Sequence, residues 1–143
     1  MELLLLRMSE LFFNELRTKQ QLGYKVSCYS MILYGKYYIV QKIQSRKKVT
    51  DLQNRIEHFN KVFYNEIQTF NINKLKKTLT NIYKEKHKKN ITTYNSYKYI
   101  VDNMIYDFNR KEKLLKALKK IEIKDLQKFY KKYITNPIIF TFN

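Results

Sequence analysis

Apolar residues recur at helical spacing near the start of this 143-residue chain. From Leu4, the positions Leu5, Met8, Leu11, Phe12 and Leu16 fall on one stripe, and Gly23 supplies a stop. The pattern then changes period. Tyr24–Tyr34 is β-branched and aromatic, Gly35 interrupts it, and Tyr37–Ile43 resumes it, which predicts an antiparallel hairpin or meander. A basic loop, Arg46-Lys47-Lys48, leads to Thr50-Asp51, a plausible helix N-cap. Beyond it Leu52, Ile56, Phe59, Phe63, Ile67 and Phe70 step by three or four, the clearest amphipathic helix in the chain. Further helices are expected around Leu75, Leu79 and Ile82, around Tyr97–Phe108, around Leu114, Leu115 and Leu118, and around Leu126–Tyr133. Asn136-Pro137 ends the last of these, and Ile138–Phe142 reads as a further strand.

Strands and helices are thus segregated. The expected architecture is α+β, an antiparallel sheet with helices packed on one face, in a single domain over residues 1–143. Three strands are near the minimum for independent stability, which suggests a missing piece.

Composition narrows the function classes. One Cys excludes an internal disulfide framework and a cysteine-based zinc site. Two Gly and one Pro argue against a turn-dense β sandwich and a Gly-rich phosphate loop. The formal charge of +17 suggests nucleic acid or another polyanion as partner. Its make-up weakens that suggestion, because Lys outnumbers Arg 24 to 5 and Arg is the residue suited to bidentate phosphate contacts. Lys, Asn, Ile and Tyr rise together, as an AT-rich coding sequence would make them. Leu3–Leu6 is too short for a secretory signal, and no stretch reaches the ~18 apolar residues of a membrane span. A soluble, cytoplasmic chain with no membrane contact is the expectation, and the lone Cys28 fits a reducing compartment.

Candidate chemistry is sparse. His58 and His87 are the two histidines, and neither belongs to an H-x-x-E-H or H-E-x-x-H motif, so no metal ligand set is assigned. His58 reads as a partly packed surface side chain, His87 as a solvated residue in the Lys84–Lys89 run, and Cys28 as a buried small hydrophobe. Glu112, Glu122 and Asp125 lie among lysines and read as charge partners. One segment departs from this. Phe13-Asn14-Glu15-Leu16-Arg17-Thr18-Lys19-Gln20-Gln21-Leu22-Gly23-Tyr24-Lys25-Val26 crowds polar residues onto the end of an apolar helix and then turns into a strand beginning with Tyr. Such a junction either caps a helix with solvated Arg and Lys, or presents an Arg fork and a phenol to one bound group.

That segment resembles the F-x-x-L-R-T-x-x-Q-L-G-Y-x-V motif of the insulysin/pitrilysin family of zinc metallopeptidases, enzymes with the inverted H-x-x-E-H motif. Gly35–Gln41 is similar to the family's G-[x]n-F-x-I-Q-S strand, and Leu52, Arg55, Ile56 and Phe59 match its L-x-x-R-[IV]-x-x-F helix. Leu118–Tyr130 resembles its L-x-x-[IL]-T-x-x-D-[IL]-x-x-F-Y stretch. The resemblance implies the last domain of a clamshell built from four related α+β domains, N-terminally incomplete because that domain's strand–helix opening is missing, with the zinc and catalytic Glu in the first. It implies that Tyr24 hydrogen-bonds the scissile carbonyl as it becomes an oxyanion, and that Arg17 holds substrate. No zinc motif occurs in this chain, so the expected function is a substrate-binding, transition-state-supporting portion of a metalloendopeptidase, inactive alone. Its expected partners are a peptide substrate and an N-terminal half or companion chain. A Lys-rich polyanion binder and an inactive interaction partner of another peptidase half are the alternatives.

Overall fold

The computed structural model describes residues 1–85, 110–135 and 137–142. The chain opens with α1 (Glu2–Phe13), in which Leu4, Met8 and Phe12 recur every fourth residue and are fully buried. The helix continues into a wider π-helical turn, Asn14–Lys19, that buries Leu16. Strands β1 (Lys25–Leu33) and β2 (Lys36–Gln44) follow as an antiparallel hairpin in unbroken register from Lys25↔Gln44 to Leu33↔Lys36. Its two-residue loop is Tyr34-Gly35, with φ of 47° and 72°. Positive φ at both positions is what a tight hairpin turn needs to follow the twist of the strands. Gly35 meets that demand freely, whereas Tyr34 bears a Cβ penalty.

One face of the hairpin is the inner face. Val26 and Cys28 are buried, and Ile39 and Ile43 on β2 pack against the same core. Gln41, also on this face, exchanges two side-chain hydrogen bonds with Asn60 of α2 (Val49–Glu66), at 2.7 and 3.1 Å. The predicted stripe of α2 supplies Phe59 and Phe63 to the core, and a short 3₁₀ turn (Ile67–Thr69) then buries Ile67. The chain goes on to α3 (Ile72–Glu85), α4 (Arg110–Lys120) and α5 (Ile123–Tyr133).

Aromatic rings join these pieces. Phe12 meets Phe59 edge-on at 5.1 Å between centroids, Phe59 stacks on Phe63 at 5.8 Å, and Phe63 meets Tyr130 of α5 at 5.7 Å. Tyr130 is buried, and its hydroxyl donates to the Asn60 carbonyl at 2.8 Å, so the one polar atom brought inward by α5 has an acceptor. Burial pushes the Tyr130 phenol well above its ordinary range. Asn60 therefore ties both the hairpin and α5 to α2.

The architecture is α+β, an antiparallel sheet with helices on one face, but three details differ from expectation. Among the described residues the sheet has two strands, not three. Ile138–Phe142 takes no regular structure and its apolar side chains are exposed, because strand propensity forms a ladder only where a partner edge is in reach. Helix α2 starts at Val49 with Lys48 at the cap position and no side-chain cap, and Asp51 lies inside the first turn, where its charge suits the helix dipole. Among the described residues Glu122 and Asp125 have no lysine ion pair and instead form the capping box of α5, Asp125 accepting from the Glu122 N–H at 2.9 Å. The predicted helix over Tyr97–Phe108 and the residue His87 lie outside the described residues. No helix among the described residues is long and apolar enough to cross a membrane.

Candidate functional site

The junction between α1 and β1 is built by the backbone. The π-helical turn closes with the Gln20 N–H on the Glu15 carbonyl at 3.0 Å and the Leu22 N–H on the Leu16 carbonyl at 2.9 Å. These are Schellman-type closures widened by the extra residue of the π turn. Gln21 takes the left-handed conformation, φ 49°, that a helix C-terminus requires. The sequence pattern puts the helix stop at Gly23, but Gly23 has another reason to be glycine. A Cβ there would stand 2.2 Å from the Gln44 carbonyl oxygen and 2.9 Å from its carbon. That close approach lets the Tyr24 N–H donate to the same Gln44 oxygen at 2.8 Å. Leu22 is buried beneath the turn, so the stretch is anchored on both sides of Gly23.

Side chains on this frame divide into tied and untied. Lys19 and the Gln20 amide both donate to the Glu15 carboxylate, at 2.9 and 3.0 Å. The Gln20 hydrogen bond, then that of Lys19, holds Glu15 below the usual carboxylate range, with a smaller contribution from the field of His58. The other Gln20 amide atom, Oε1, is buried and accepts no hydrogen bond among the described residues. Tyr24 is 71% exposed and Arg17 half-buried, and neither side chain has a hydrogen bond or ion pair among the described residues. The two predicted site residues thus stand on one anchored junction with their donors unspent.

Beside the junction lies a groove of about 430 Å³, lined by Leu22 together with Lys47, Asp51, Leu52, Arg55 and His58 of the β2–α2 loop and α2. Asp51, Arg55 and His58 step by four and three, which puts them on one helix face. By sequence His58 reads as a partly packed surface side chain and Arg55 as a motif match alone. The spacing was the available signal, but nothing in it shows that the face meets Leu22. Cys28 behaves as expected, buried with its thiol pushed up to about 12. Among the described residues no three His, Cys, Asp or Glu side chains converge on a point that could hold a metal ion.

The junction motif, the hairpin and α2 follow one another within a stretch that carries a recognisable family pattern. The pattern of the family described as PQQ synthase PqqF-like, C-terminal lobe domain 4, matches residues 3–98. The chain belongs to that family. No curated protein matches it. Among solved structures it is similar to the crystal structure of pitrilysin, with a TM-score of 0.75 at 19% identity over 94% of this chain. It spans 15% of the length of that pitrilysin chain. The PqqF-like domain seen here therefore has the fold of a pitrilysin domain.

Proposed function

We propose that this PqqF-like domain serves as the substrate-binding, transition-state-supporting portion of a zinc metalloendopeptidase whose metal and catalytic carboxylate are supplied from outside residues 1–143. The observation that carries the reading is Tyr24. Its backbone is held against Gln44 while its phenol is exposed and unpartnered among the described residues, on the segment that resembles the L-R-T-x-x-Q-L-G-Y motif of the insulysin/pitrilysin family. Anchoring the backbone fixes where the side chain starts, and the unpartnered hydroxyl can donate to a carbonyl oxygen as negative charge develops there. Arg17 supplies a delocalised, permanently charged fork at the same junction, suited to holding a peptide carbonyl or carboxylate.

This chain would contribute positioning and hydrogen bonding, and a metal held by the companion portion would supply the Lewis acidity. A donor aimed at developing charge contributes ~2.7–4 kcal/mol, or about a hundredfold or more in turnover. The test is Tyr24→Phe in an enzyme reconstituted from this chain and an H-x-x-E-H-bearing companion. The expected result is a fall in kcat of about two orders of magnitude or more with KM little changed. Unchanged turnover refutes the assignment of Tyr24.

A further inference from the structure

The hairpin has a second face that the core does not use. Alternation from buried Val26 and Cys28 puts Lys25, Ser27, Tyr29, Met31 and Leu33 of β1 on the opposite side, and the register sets Val40 against Tyr29, Tyr38 against Met31 and Lys36 against Leu33. The middle of this face is apolar and open, with Tyr29 and Met31 each 41% exposed and Leu33 and Tyr38 similarly exposed. Its ends are marked by Lys25, Lys36 and Lys42, none of which has an ion-pair partner among the described residues. The chain segment that carries the face has charge of one sign. Between Glu15 and Asp51 the chain carries eight Lys and Arg and no Asp or Glu.

We infer that this outer face is a docking surface for an extended acidic polypeptide segment with apolar side chains at alternate positions. Each half of that description answers a feature of the face. Contiguous exposed apolar side chains on a pleated surface take side chains of period two, and a lysine rim with no internal acid attracts carboxylates. A nucleic acid fits less well. The centre is aliphatic as much as aromatic, Tyr29 and Tyr38 are diagonal neighbours rather than a row, and no arginine lies on the face. A second copy fits worst, since each copy brings +17. The inference is independent of the role given to Tyr24, which lies before β1.

The test is fluorescence anisotropy with the whole chain and a labelled nine-residue peptide alternating Glu and Leu, matched to the nine residues of each strand. The comparison probes are the Lys–Leu counterpart and an oligothymidine of equal length. The Glu–Leu peptide is expected to bind, more weakly as salt rises. Tyr29→Ser with Met31→Ser, and separately Lys25→Glu with Lys42→Glu, are each expected to weaken it by about tenfold, while Val62→Ser, exposed on α2, leaves it unchanged. Absence of binding, equal binding of the Lys–Leu peptide, tighter binding of the oligonucleotide, or indifference to both double variants overturns the inference. So does a dimer in sedimentation that the Tyr29/Met31 variant dissolves.

Discussion

Replacing Gly23 by Ala isolates the contact that builds the junction. Two effects oppose each other. The backbone of Gly23 is not in the left-handed region, so an added methyl is compatible with its conformation and restricts the unfolded chain, an effect that alone stabilises by ~0.4–1 kcal/mol. Against that, the Cβ meets backbone rather than a flexible side chain, 2.2 Å from the Gln44 oxygen and 2.9 Å from its carbon. No real Cβ tolerates either distance, so the strand ends must separate by about an ångström. The displacement stretches the 2.8 Å bond from the Tyr24 N–H beyond useful length, at ~0.5–1.5 kcal/mol, and distorts packed neighbours such as Leu22 at ~1–3 kcal/mol. After offsetting the entropic gain, the expected net loss is about 1–3 kcal/mol. Urea unfolding followed by far-UV circular dichroism reads it as a lower midpoint at unchanged slope. A Gly23→Ala chain as stable as the parent, or more stable, refutes the steric account of this glycine. The same variant links packing to function, because moving Tyr24 by an ångström also misplaces the phenol in an assembled enzyme.

Tyr34→Asn, at a turn position with φ 47°, is expected to raise stability by ~0.5–1 kcal/mol, since Asn tolerates the left-handed region better; an unchanged or lower thermal midpoint contradicts this. Phe63→Ala removes the ring that meets Phe59, Phe70 and Tyr130 and is expected to cost ~3–5 kcal/mol in denaturant titration, with a loss under 1 kcal/mol counting against this ring as the core's centre. Cys28, its thiol pushed up to about 12 by burial, is expected to react with a thiol reagent only as fast as the chain opens, so labelling at mildly alkaline pH should accelerate sharply with urea; prompt labelling of the folded chain contradicts its burial.

Local periodicity settled much of this protein. Every fourth residue apolar in α1, the stripe of α2 from Leu52 to Phe63, the hairpin around Gly35 and the motif from Phe13 to Val26 are short-range patterns. They were legible because helix faces and strand alternation repeat within a few residues. The identities of Arg17 and Tyr24 as site candidates were carried by the same motif. Long-range encounters were not legible. That Gly23 presses on Gln44, that Asn60 receives both Gln41 and Tyr130, and that Arg55 and His58 face Leu22 depend on which segments meet, and spacing along the chain holds no record of that. The same reason explains the tail. Ile138–Phe142 has the residues of a strand, but strand formation requires a second edge, and only the tertiary structure decides whether one is there.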